Sequence, residues 1–187
     1  MRKDRLVLLL LLVALFAARA GLTPFGIVYG PKGAFNIKAP DGWVIDNESG
    51  TEQGLPCVLF RKGETWETAE PLMYAKIAST EVTDAEAFAK KAIAEMQKER
   101  GEFPVKRTAS GKTAGGEPYF VNEYAPTEEY TRAERVAYIQ MAKAVAYVVF
   151  SAETKATLEK HGRALIQVLE SFRALNVTPP EKEKKAR

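Results

Sequence analysis

The sequence predicts an α+β fold in which short β-strands are covered by amphipathic helices, and two observations carry that prediction. Residues 151–172 place Leu158, Gly162, Leu165, Ile166, Val168, Leu169 and Phe172 on one broad face at about 100° per residue, with Lys155, Glu159, Arg163 and Glu170 opposite. A face that wide covers a sheet. Upstream, the runs 35–38, 58–61, 73–78 and 145–150 read as strands with an apolar face, which must be buried against such a cover.

The chain has 187 residues, enough for one domain with a real core once an export signal of about 20 residues is set aside. Four of the 27 basic and one of the 24 acidic residues lie in the first 20 positions, leaving 23 of each beyond them. With no basic excess in the remainder, nucleic acid is not an expected partner.

Residues 1–20 have the layout of a signal peptide. Charges in the first five residues precede an apolar run from Leu6 to Ala18, and Ala18-Arg19-Ala20 puts small residues at both cleavage-specifying positions, so the cut is expected between Ala20 and Gly21. The alternative is a retained anchor, but 13 apolar residues fall short of the ~20 that span a hydrocarbon core. Lipidation would need a cysteine at position 21. The single cysteine, Cys57, lies in a predicted strand, so an internal disulfide is also out of reach. The expected protein is exported, periplasmic or extracellular, with no membrane span after cleavage.

Residues 21–33, rich in Gly and Pro, read as an irregular lead-in. Residues 35–39 alternate apolar and polar as a half-buried strand does, and Pro40-Asp41-Gly42 supplies a turn before Trp43-Val44-Ile45, which together read as a hairpin-like unit. Trp43 is expected to be buried. Strands at 56–61 and 72–79 flank an acidic loop, 63–71, with Trp66 at its centre. Thr83-Asp84-Ala85-Glu86 reads as a capping box for a helix to about Arg100, with Ala85, Phe88, Ala89, Ala92, Ile93 and Met96 inward and Gly101 as its stop. Strands at 105–109 and 118–124 are joined by turn chemistry. Residues 135–151 favour two strands reversing near Lys143, with one long helical segment as the alternative because the turn lacks Gly, Asn or Pro. Residues 176–187, two prolines and then mostly charges, read as a disordered tail.

Phe35, Ile37, Pro40 and Trp43 form an aromatic-x-aliphatic-x-x-Pro-x-x-Trp opening. With a Tyr-Val-Val-Phe-Ser strand running into a helix that closes on Leu169, Ser171 and Phe172, the stretch 34–175 resembles the PsbP-like superfamily. The resemblance implies a central antiparallel β-sheet with helices on both faces, an α-β-α sandwich, in a 34–175 domain. It also implies a binding or assembly role rather than catalysis.

The catalytic inventory is thin. His161, the only histidine, sits between Leu158 and Leu165 and reads as a core-edge residue before it reads as a base. Cys57 could be a nucleophile paired with it, or a small buried apolar residue. Glu67 with Glu70, or Glu128 with Glu129, could form carboxylate pairs, but no calcium loop accompanies them. Gly111-Lys112-Thr113 lacks the earlier glycine and the following helix of a phosphate loop. The expectation is therefore a monomeric, non-enzymatic protein without cofactor or metal that acts on an envelope protein partner. Trp66, Glu64, Glu67 and Glu70 are its candidate contact residues, with Trp66 as a lid over the sheet as the competing reading. The alternative function is a small-ligand or lipid-binding protein with a pocket between sheet and helix.

Overall fold

A computed structural model describes residues 22–79 and 81–175. The leader, its cleavage pair Ala20 and Gly21, and the tail at 176–187 lie outside the described residues.

Eleven strands form two antiparallel sheets among the described residues. The strands are β1 (Leu22–Thr23), β2 (Phe25–Gly30), β3 (Gly33–Lys38), β4 (Trp43–Asp46), β5 (Val58–Arg61), β6 (Leu72–Ile77), β7 (Val105–Lys112), β8 (Pro118–Tyr124), β9 (Ala133–Gln140), β10 (Val145–Ala152) and β11 (Arg173–Leu175). The large sheet runs β1-β4-β5-β6-β10-β9-β8-β7, and the small one β11-β3-β2. Helix α1 (Ala85–Arg100) covers one face of the large sheet, while α2 (Lys155–Lys160), α3 (Gly162–Ser171) and the small sheet cover the other. The expected α+β sandwich with helices on both faces is the observed one.

Alternation explains which side chains meet which cover. On β10, Ala146, Val148, Phe150 and Ala152 point to α2 and α3, joining Met73 and Ala75 of β6 and Leu158, Leu165, Val168 and Leu169 of the helices. Tyr147 and Val149 point the other way, toward α1, with Tyr74, Tyr138 and Phe88. Trp43 is 4% exposed and meets Phe150 edge-on, ring centroids 6.2 Å apart, so its expected burial holds.

Four expectations are corrected. Residues 21–33 are not an irregular lead-in. Within them β2 pairs with β3 from Phe25↔Lys38 to Gly30↔Gly33, and its glycines serve packing rather than turns. A Cβ on Gly26 would come 2.8 Å from Ile45 and 3.0 Å from Cys57, and one on Gly30 2.6 Å from Ile77, so bare backbone lets β2 lie directly on the large sheet. Second, Pro40-Asp41-Gly42 turns the chain, but β3 and β4 belong to different sheets. Gln167 of α3 donates to the Asp41 carboxylate at 2.7 Å and pins the crossing. Third, the helix expected over 151–172 is two. β10 persists to Ala152 because it stays paired with Ala133, Thr154 caps α2 by accepting from the Thr157 amide, and the axis breaks at His161. Fourth, Asp84, not Thr83, caps α1, accepting from the Ala87 amide at 2.8 Å. Glu86 instead holds Arg107 of β7 through two 2.7 Å contacts.

The ambiguous stretch 135–151 is two strands, joined by a tight connection in which the Met141 amide donates to Ala144. Strand β11 has no counterpart in the sequence reading. Phe172 ends α3 in an extended conformation and stacks on Phe35 with centroids 4.6 Å apart, which delivers Arg173–Leu175 alongside β3.

Candidate functional site

On the α1 side, the helix covers only β9, β10 and their neighbours. The other half of that face, over β4, β5 and β6, is covered by the loop between β5 and β6. Trp66 is half-buried there against a cluster centred on Val58, Phe60 and Ala69. This is the geometry of a lid, with one edge of the indole left at the surface.

The four candidate contact residues separate. Glu64 bonds to Arg61, its Nε at 2.9 Å and its Nη2 closer still. Glu70 accepts from the Arg132 guanidinium and from the Glu153 amide, both at 2.7 Å, and so ties the loop's end to the starts of β9 and of the α2 connection. Both carboxylates are used in holding the loop. Glu67 alone is exposed, its carboxyl held below the ordinary range by its own backbone amide first and then by the Thr65 hydroxyl. The loop therefore presents outward the Glu67 carboxylate beside Trp66, with exposed Lys62 at its start, on a turn in which the Thr68 amide donates to the Thr65 carbonyl.

A polar network that the sequence reading missed lies beside the loop. Glu134 of β9 is buried on the α1 side, accepting from Arg100 at 2.8 Å and from the Tyr130 hydroxyl at 2.6 Å, while the Arg100 guanidinium stacks 3.7 Å above the Tyr130 ring. Burial first, and then the Glu134 bond and charge, push the Tyr130 hydroxyl up to about 12, so it stays a donor at neutral pH. The Glu134 carboxylate and the Tyr130 hydroxyl are both bonded inside the cluster, which fits a structural clamp at the C-terminus of α1. A lone glutamate within the otherwise apolar inward positions of β9 was the only signal for it.

The catalytic candidates are not brought together. His161 meets Trp43 edge-on at 6.4 Å, and burial, then the Arg61 and Lys160 charges, lower its pKa. Cys57 lies at the opposite end of β5 from Arg61, four residues or about 13 Å along the strand. Its thiol is fully buried and pushed up to about 12, by burial first and the Asp46 charge second, so it is not a nucleophile at neutral pH. Glu128 and Glu129 are both exposed. Gly111-Lys112-Thr113 runs out of β7 into a hairpin closed by the Thr113 amide on Glu117. Among the described residues no three His, Cys, Asp or Glu side chains converge to hold a metal.

The centre of the space between the helices and the sheet is filled. Phe35, Leu59, Met73, Phe150, Leu158 and Leu169 are each 0% exposed. Openings of about 280 to 340 Å³ lie toward the edges, one between α3 and the β7–β9 part of the sheet beside Val121 and Leu165 and another between α1 and β7 beside Ile93 and Arg107, all open to solvent and at the small end of ligand-pocket sizes. No helix among the described residues is long and apolar enough to cross a membrane.

No family model matches the chain, and no curated protein matches it in sequence. Its structure is similar to the solution structure of cyanobacterial PsbP from Synechocystis sp. PCC 6803, with a TM-score of 0.51, 13% identity and coverage of 83% of this chain and 95% of that one. It is also similar to the crystal structure of LpqN, involved in cell envelope biogenesis of Mycobacterium tuberculosis, at a TM-score of 0.49, 13% identity and coverage of 87% and 96%. With the sheet order and the two-sided helical cover already established, the first of these likenesses identifies the fold as PsbP-like.

Proposed function

We propose that this is an exported, non-catalytic binding or assembly protein of the cell envelope that engages another protein. The observation that supports this best is the filled centre of the interior, with only solvent-open clefts at its edges. A carrier needs a concave apolar chamber, and here the side chains that would line one are packed against each other. The scattered positions of His161, Cys57 and the glutamates favour binding over catalysis for the same reason: no nucleophile, base and acceptor converge.

The proposed contact is the outward part of the β5–β6 loop, the Trp66 edge with Glu67. An aromatic anchor beside a charge suits a protein interface, and the internal bonds of Glu64 and Glu70 mean that binding would not have to order the loop. The test is a photoreactive side chain at position 67 in intact cells, with crosslinked products identified by mass spectrometry. A recurrent envelope protein lost on Trp66→Ala, in a variant that remains folded, is the expected result. Unchanged capture by folded Trp66→Ala would remove the loop from the contact, and a product set without a recurrent protein would end the partner reading.

A further inference from the structure

We infer that the free edge of β7 is a docking site for an extended, acidic segment of a partner protein, which adds to the large sheet as a further strand. The inference rests on the partner-binding reading but not on the Trp66 loop. Strand β7 is the last of the large sheet and pairs on one side only, with β8. The opposite end of the sheet is β1, two residues long, whereas β7 runs for eight and is exposed throughout except at half-buried Ala109. The Thr113 amide bonds inward to Glu117, so by the alternation of an antiparallel ladder the amides of Ser110 and Lys112 point away from β8. Nothing among the described residues pairs with that side. Such an edge is a template for another strand.

Both faces of the sheet offer sockets beside this edge. An added strand projects its side chains alternately to one face and the other, and the helices stop short of β7 on each. On the α3 side an opening of about 320 Å³ is lined by Ala109, Val121 and Leu165. On the α1 side two openings, of about 310 and 340 Å³, are both bounded by the Arg107–Glu86 pair, the first lined by Phe120 and the second by Ala89 and Ile93. Each is at the small end for a whole ligand and suits a single apolar side chain. Main-chain bonds to β7 would supply affinity, and these sockets would read alternate residues.

Charge selects the occupant. Strand β7 carries Lys106, Arg107 and Lys112 and no Asp or Glu. Arg107 is held by Glu86, and Glu123, opposite Lys106, is taken by Arg135 and Lys155, while Lys106 and Lys112 form no ion pair among the described residues. The two lysines stand toward the ends of the strand, ~20 Å apart, with the sockets between them. The segment that fits therefore has an acidic residue at each end and an apolar centre. The same charges disfavour the other occupants. A second copy would set the cations of one β7 across from those of the other, and the bulge between Arg107 and Ala109 bends the edge away from a long flat self-pairing. Residues 176–187 hold four basic against two acidic side chains and two consecutive prolines, and residues 1–20 hold four basic against one acidic. Like charge thus guards the edge against this chain and leaves it open to an acidic one.

The test selects a displayed library of random short peptides on the full chain as recovered from cells, then adds each synthesised binder to isotope-labelled protein. Peptides with acidic ends and an apolar centre are expected. Their binding should slow amide exchange at Ser110 and Lys112 about tenfold or more and leave the amides of Thr65 and Thr68 in the β5–β6 loop unchanged. Lys106→Gln with Lys112→Glu should weaken binding about tenfold, with an unaltered unfolding midpoint because both side chains are exposed. Trp66→Ala should leave the affinity as it is. A selection without binders overturns the inference, and so do binders that leave the Ser110 and Lys112 amides exchanging as before. Loss of binding in folded Trp66→Ala also overturns it, moving the contact to the loop while the partner-binding reading stands. Binders without acidic ends overturn the assignment to an acidic segment. Slow exchange of the two amides without peptide overturns the inference as well: slowing that grows with protein concentration gives the edge to a second copy, and slowing independent of concentration gives it to the chain's own ends.

Discussion

The two faces of the large sheet are closed by different chemistry. Toward α2, α3 and the small sheet, the contacts are aliphatic and aromatic, from Ile45 and Leu59 through Val148 to Leu165, with exposures of 0–1%. Toward α1 and the Trp66 loop, buried Val58, Phe60, Val145 and Phe103 are joined by tyrosines, by half-buried Phe88, Ile93 and Met96, and by the Glu134–Arg100–Tyr130 cluster. Burial of apolar area is indifferent to direction, so the first face is held by volume and shape, whereas the second depends on particular hydrogen bonds. The first face is therefore where stability resides. The second, with one helix and a loop over eight strands, has side chains left at its surface for contacts.

The largest effect that would break this contrast is at Trp43. Trp43→Ala opens a cavity beside Phe150 and should lower stability by about 3 to 5 kcal/mol, measured by chemical denaturation. A loss under ~1 kcal/mol would mean that this face collapses around the missing ring and is not shape-limited.

Trp43 also marks what the sequence makes legible. Its burial, the strands at 58–61, 72–77, 118–124 and 145–150, and the helix ending at Arg100 all follow from local periodicity and turn residues, which act within a few positions. What was not legible depends on contacts distant in sequence. Gly26 and Gly30 look like loop residues until Ile45 and Ile77 are placed against them. Gly162, just past the break at His161, lies against the Arg135 guanidinium, whose Nη1 would stand 2.7 Å from a Cβ there. At the candidate site, Trp66 and its acidic neighbours stood out by composition. The commitment of Glu64 to Arg61, and of Glu70 to Arg132 some 62 positions away, did not. The Glu134 cluster joins three elements and so has no local signature.

A smaller effect is expected on the α1 side, and its form differs. Glu134→Ala leaves the Arg100 guanidinium and the Tyr130 hydroxyl without their acceptor. The loss should be about 3 kcal/mol, the low end for breaking a buried pair because Arg100 keeps some contact with water. Replacing both charges, Arg100→Met with Glu134→Leu, should restore most of it in the same denaturation experiment. If the double variant is as unstable as the single one, the cluster packs as tightly as the opposite face and the contrast between them fails.

The smallest effect is at His161, at the end of β5 where the cover of one face meets the loop of the other. Burial, then the positive charges of Arg61 and Lys160, disfavour its protonation, and Glu64 and Glu70 offset this only in part. Its folded pKa therefore lies below the ordinary 6.5, and in the window between the two values the unfolded chain binds more protons. Stability contributed by the neutral ring is fully present above about pH 7.5 and is lost as pH falls through 6.5 toward the folded pKa. His161→Gln should remove this component. Unfolding midpoints of the two proteins compared at pH 8 and pH 5.5 should show the larger drop in the parent. An equal drop would assign the acid sensitivity to the carboxylates of the loop and the α1 side, and would leave the Trp43 face indifferent to pH even at its edge.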